Sequence, residues 1–169
     1  MDPDWLIWPA CWGGPVQAQV DLATLLKSQL LFWMLAAPYG HAKNFSVRVL
    51  PQGRYALTPL YDVMSIWPVE GGGANQFSRH KAKLAMALHG KSRHYLVKDI
   101  QRRHFNSTAA QYFQRADAED LIEQVLQRTP SAIANVASKL PSGFPEKVAQ
   151  TIFQGLHKSA LQLASMAKD

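Results

Sequence analysis

The spacing of apolar residues changes along this chain, and the change restricts the folds open to it. Leu22, Leu26, Leu30, Trp33 and Leu35 recur at near-helical intervals, and the closing run LLFWMLAA is apolar on every side. This pattern predicts a helix over about 22–37, capped by Asp21 and buried all round near its end. Pro38 and Gly40 stop it. From Asn44 the period becomes two: Phe45, Val47 and Val49 alternate with Ser46, Arg48 and Leu50, and Tyr55 and Leu57 alternate again after Pro51-Gln52-Gly53. Alternation on both sides of a Pro/Gly turn is the pattern of a β-hairpin, here at about 44–58. The connecting loop, PYGHAKNFSV at 38–47, is dense in polar groups between two apolar segments, the setting in which functional residues concentrate.

Beyond the hairpin, Gly71-Gly72-Gly73 marks a flexible loop, and KLAMAL after it fits a short strand or the first turn of a helix. Everything after about residue 93 reads as helical. Asp117 and Asp120 form a capped start for DAEDLIEQVLQRT, in which Leu121, Ile122, Val125 and Leu126 share a face. Pro130 suits the first turn of a further short helix, and Pro141 to Pro145 separate that helix from a last one carrying Val148, Ile152, Leu156, Ala160 and Leu163. The expected fold is mainly α with one small β-hairpin. The first 20 residues differ from the rest: Trp5, Trp8 and Trp12 crowd together before the break at Gly13-Gly14-Pro15, so 1–20 is expected to be a leader and 21–169 the folded unit.

With 169 residues, 47% of them hydrophobic, the chain can build a core for one domain, which excludes disorder throughout. A formal charge of +6 fits contact with nucleic acid, nucleotide phosphates or an acidic partner, and equally fits solubility alone. Cys11 is the single cysteine, so neither an internal disulfide nor a cysteine zinc site is possible, in keeping with a reducing cytoplasm. Asp2 and Asp4 stand where an export signal would carry positive charge, and the apolar run Leu30 to Ala37 is far short of the roughly 20 residues a bilayer needs. No membrane attachment is expected.

If the hairpin turns about Gln52, residue 44 falls opposite residue 60, so Asn44 and Asp62 meet at the open end of the two strands. A carboxamide oxygen beside a carboxylate is a pair of hard ligands of the kind that holds Mg²⁺ against phosphates. The same two residue types also cap loops and start turns, and the sequence alone admits either role.

The order helix, loop, Asn, hairpin, Asp is the one protein kinases use to place a base and two metal ligands. The stretches LLKSQLLFWMLAA, GHAKNFSV, YALTPLYDVMS, KLAMAL, RHFNSTA, IANVASKLP and FPEKV together resemble the C-terminal lobe of the HipA family, the serine/threonine-kinase toxins of bacterial toxin–antitoxin modules. The resemblance covers about 21–169, and GHAKNFS followed by LTPLYD is its most specific part. It implies a protein-kinase-like lobe, ATP and Mg²⁺ as ligands, a protein substrate such as an aminoacyl-tRNA synthetase, and a HipB-like antitoxin that links the toxin to operator DNA. Asn44 and Asp62 would be the magnesium ligands, Lys43 would lie close to the transferred phosphate, and His41 would order the nucleotide-binding loop.

The resemblance also exposes two departures. The family carries an aspartate before the glycine of GHAKN, where it accepts the proton of the substrate hydroxyl; this chain has Tyr39. A phenol titrates near roughly 10 and stays protonated at neutral pH, so the general base is replaced by a group that cannot serve. The family's N-terminal lobe, with its phosphate-covering loop and nucleotide-anchoring lysine, has no expected counterpart before residue 21. Restoring an aspartate at 39 would therefore mend one of two deficits. The expected reading is a kinase-like lobe without phosphotransfer activity. The alternative is a non-catalytic binding module for an antitoxin-like partner or DNA, built on the cluster Arg79, His80, Lys81, Lys83, Lys91, Arg93, Lys98, Arg102 and Arg103, which fits a solvated face equally well.

Overall fold

The computed structural model describes residues 15–168. The expected leader therefore falls largely outside the described residues, but its last part does not: helix α1 spans Pro15–Met34. Asp21 lies inside that helix rather than capping it. It is 4% exposed, and its Oδ2 accepts the Leu57 backbone N–H at 3.0 Å. The cap-like residue was thus a tertiary contact, one that closes the free edge of a strand far along the chain.

Two antiparallel two-stranded sheets follow. Strand β1 (Val47–Leu50) pairs with β2 (Arg54–Leu57) in the register Val47↔Leu57 to Leu50↔Arg54, turning at Gln52 (φ 64°) and Gly53 (φ 70°). Its alternation does not mark a buried face, since Val47 is 38% and Val49 70% exposed. KLAMAL is a strand: β3 (Lys83–His89) pairs with β4 (Arg93–Leu96). The expectation of helix from residue 93, and of a single hairpin, is corrected accordingly. Leu84, Met86, Ala87 and Leu88 are all buried, so β3 has no polar face to reveal its period.

Helix α2 (Arg102–Tyr112) lies across β3, where Thr108 Oγ1 accepts the His89 N–H at 2.8 Å. Helix α3 (Glu119–Ala137) runs through Pro130 without a break, so the separate helix expected there does not form. Proline offers no N–H to the Leu126 carbonyl, while Thr129 Oγ1 donates to the Val125 carbonyl at 2.8 Å. At its start Asp117 Oδ1 accepts the Glu119 N–H at 2.9 Å, and Asp120 pairs with Arg115. Helix α4 (Glu146–Ser165) closes the fold, burying Ala160 and Leu163 of the expected stripe. One core joins these elements through Leu25, Leu26, Leu30, Trp33, Phe105 and Ile122. Truncating any of these to alanine costs about 2–5 kcal/mol. Among the described residues no helix is long and apolar enough to cross a membrane.

Candidate functional site

The end of α1 sets the position of the polar loop. Ala36 N–H bonds to the Trp33 carbonyl (3.0 Å) and Ala37 N–H to the Phe32 carbonyl (2.7 Å), with Ala36 in the left-handed region at φ 47°. That is a Schellman closure built on alanine in place of glycine, at a cost of about 1–2 kcal/mol. Gly40 is needed for a different reason: a Cβ there would lie 2.3 Å from the Phe32 ring, so the loop can press against α1 only without a side chain. Phe45 is buried beside Phe32, ring centroids 6.0 Å apart, and anchors the far end of the loop.

Between these anchors, Ala42–Asn44 forms one 3₁₀ turn, in which Asn44 N–H bonds to the His41 carbonyl at 2.9 Å. The hairpin register continues outward, because Thr58 N–H bonds to the Ser46 carbonyl at 2.9 Å. Asp62 then turns into the left-handed region (φ 56°), which aspartate tolerates better than most residues, and its Oδ2 accepts Asn44 Nδ2–H at 2.8 Å. The two residues meet as the register required. The segment after Asp62 is fixed to carbonyls at and just beyond the end of α1: Ser65 Oγ donates to Leu35 O (2.6 Å), Ile66 N to Ala36 O (3.3 Å) and Trp67 Nε1 to Met34 O (3.1 Å). These bonds satisfy helix-end acceptors and hold Asp62 at the loop.

The pair brings together one carboxylate and one carboxamide, whose oxygens are hard donors. Asn44 is 9% exposed, and its Oδ1 is buried without a hydrogen-bond partner, while Asp62 is exposed. With the amide N–H turned to the carboxylate, the remaining amide oxygen is a hard acceptor with an unmet requirement worth about 1–3 kcal/mol. Sharing a cation with Asp62 requires the amide to rotate, exchanging one hydrogen bond for a metal bond. Two oxygen ligands suit Mg²⁺, which takes the rest of its shell from phosphate and water. No group of three or more His, Cys, Asp and Glu is gathered among the described residues, so the donor set is not that of a zinc centre.

The other expected residues line the same loop. Lys43 is exposed and has no ion pair among the described residues. Tyr39 is 43% exposed, and its ring meets His41 edge-on at 5.0 Å. The backbone of His41 shapes the turn, whereas its ring packs on Tyr39 and makes no hydrogen bond among the described residues. Tyr61 was not anticipated: its hydroxyl shares a hydrogen bond with Ser46 Oγ (2.8 Å) and donates to the Lys43 carbonyl (3.4 Å). The signal was available, because the register that sets 44 opposite 60 sets 61 opposite 43.

The basic cluster is not one surface. Arg102 is 1% exposed and bound to Glu119 and Glu123, which removes it from any docking face. Lys81, Lys83, Lys91, Arg93, Lys98 and Arg103 are exposed, Lys98 beside Asp99 at 3.7 Å; the Arg79 side chain lies outside the described residues.

Comparison with known proteins bears on the family and the fold. The family model for the HipA-like C-terminal domain matches residues 12–133. Among solved structures, the chain is similar to one from the Shewanella oneidensis MR-1 toxin–antitoxin complex of HipA, HipB and operator DNA, with a TM-score of 0.70 and 20% sequence identity. That match covers 96% of this chain and 35% of the other, so this chain spans about a third of its neighbour's length. At that identity the likeness carries the fold.

Proposed function

Since the chain belongs to the HipA-like C-terminal domain family, we propose that residues 38–62 are the metal- and phosphate-holding part of a HipA-type serine/threonine phosphotransferase site in which the proton acceptor has been lost. The observation that carries this reading is the convergence of Asn44 and Asp62, whose side chains meet at 2.8 Å through the Asn44 amide N–H and leave the amide oxygen buried without a hydrogen-bond partner among the described residues. Asn44 and Asp62 hold Mg²⁺, which when bound neutralises the phosphates of ATP. Lys43, exposed and without an acidic partner among the described residues, faces the transferred phosphate. Tyr39 and His41, packed on each other, order the loop. Tyr39 offers a phenol where a carboxylate must accept the substrate hydroxyl proton, a loss of about 10²–10⁴ in rate. By family the substrate is a protein hydroxyl in the cytoplasm, and the partner is a HipB-like antitoxin with operator DNA bound through it.

The purified chain with radiolabelled ATP and Mg²⁺ is expected to incorporate no phosphate into itself or a protein substrate. Incorporation that Asp62→Ala abolishes would overturn the lost-acceptor reading. A non-catalytic binding module is the second reading, motivated by the exposed Lys81, Lys83, Lys91, Arg93 and Arg103. It requires DNA binding whose affinity falls steeply as salt rises.

A further inference from the structure

A cleft of about 710 Å³ opens between the β3–β4 turn, α2 and the C-terminal Lys168, away from the loop of Asn44 and Asp62. Two imidazoles form its wall: His94 and His104 are stacked with ring centroids 3.7 Å apart and planes 11° from parallel. Gly90 forms the floor. Its backbone is not in the left-handed region, so its lack of a side chain matters for space: a Cβ would lie 3.1 Å from His94 Nε2 and 3.2 Å from His104 Cδ2. The hollow over Gly90 is therefore bounded by the Nε2 edges of both rings.

The protonation of His104 follows from its contacts. Its Nδ1 accepts the Gln101 backbone N–H at 3.1 Å, so the ring proton resides on Nε2. Burial, then His94 and Arg103, hold its pKa down to about 4, so the ring is neutral at physiological pH. The side chain is 4% exposed, yet its Nε2–H has no hydrogen-bond partner among the described residues. The Nε2 atom is reached by solvent from the cleft, so this donor is open to an acceptor from outside the chain. Lys91 and Arg103 also line the cleft, and neither has an ion pair among the described residues. Lys168 is shared with Glu123 at 3.4 Å, and the one carboxylate of the lining, Asp117, is turned to the Glu119 N–H.

We propose that this cleft is a second ligand site, distinct from the Asn44–Asp62 pair, which takes the phosphate group of a small phosphorylated molecule. Arg103 and Lys91 supply the charge, His104 Nε2–H the directed donor, and Gly90 the room. An arginine and a lysine with no ion pair among the described residues favour a doubly charged oxyanion over a carboxylate, and the volume accommodates a mononucleotide.

The test is histidine-selective NMR on the full chain without divalent cation, titrated separately with inorganic phosphate, 5′-AMP, adenosine and a short DNA duplex. Phosphate and AMP should shift the His94 and His104 imidazole signals saturably, adenosine should not, and Arg103→Gln or Lys91→Gln should weaken binding about tenfold each. Equal affinity for phosphate and AMP identifies a phosphate-only ligand, and tighter AMP binding one that also contacts the outer face of His94. Asp62→Ala should leave the titration unchanged, which separates this site from the proposed phosphotransferase site. Absence of saturable shifts, shifts indifferent to both substitutions, or tighter binding of the duplex through the same residues would overturn the proposal.

Discussion

Replacing Arg102 by methionine tests how the helical half of the fold is held. Arg102 begins α2, is 1% exposed, and donates from Nε to both Glu119 oxygens (3.0 and 3.1 Å) and from Nη2 to Glu119 and Glu123 (2.5 and 2.6 Å). Its Nη1 reaches the Leu163 carbonyl of α4 at 3.5 Å, so one side chain ties three helices. Methionine keeps much of the apolar stem and removes every donor. Breaking one side of a buried pair costs about 3–5 kcal/mol. Glu119 keeps Asn106 as a donor at 2.9 Å and its side chain is 23% exposed, which places the expected loss at the lower end, about 3 kcal/mol. Urea denaturation at pH 7 reads this directly. The pH dependence gives a second check. Hydrogen bonds from Arg102 are the largest cause holding the carboxyls of Glu119 and Glu123 below the usual carboxylate range. The native state therefore binds fewer protons than the unfolded one, and this stabilisation is complete above the unfolded value of about 4.5 and lost as pH falls through the depressed folded values. Arg102→Met should flatten that acid limb. A variant within about 1 kcal/mol of the parent, with the same acid limb, would refute the tie.

Gly155→Ala puts a Cβ 2.4 Å from the Trp67 indole, so the ring must shift and its bond to the Met34 carbonyl weaken; a loss of about 1–3 kcal/mol is expected, read as a lower Tm with altered tryptophan fluorescence. His104 is buried and held neutral, with its pKa near 4 against 6.5, so the unfolded state binds the extra proton and stability should fall as pH drops from about 6.5 towards 4. Its imidazole should titrate in that low range by NMR, and His104→Gln should remove this part of the pH profile.

The order of helix, polar loop, hairpin and aspartate was legible because it rests on local chemistry. Periodicity marks each element, and the turn at Gln52 and Gly53 fixes the register, from which the meeting of Asn44 and Asp62 follows. Where the reading failed, a distant partner decided the outcome. Asp21 resembles a cap but closes the edge of β2, and Arg102 reads as one more surface cation until Glu119 and Glu123, on a different helix, enclose it. The second hairpin was hidden because β3 is buried on both faces near its end, which removes the alternation that identifies a strand. Pro130 was taken as a boundary, yet α3 continues through it to Ala137 at the loss of a single hydrogen bond to the Leu126 carbonyl, although that last stretch is largely exposed.

The central claim is that Asn44 and Asp62 share a divalent cation. Adding Mn²⁺ to the ¹⁵N-labelled chain and recording paramagnetic broadening locates the ion directly. Broadening should centre on residues 42–46 and 61–63, recede when Mg²⁺ is added in excess, and disappear from those residues in Asp62→Ala. Broadening centred elsewhere, for instance on Glu119 and Glu123, or a pattern unchanged by Asp62→Ala, would contradict the account.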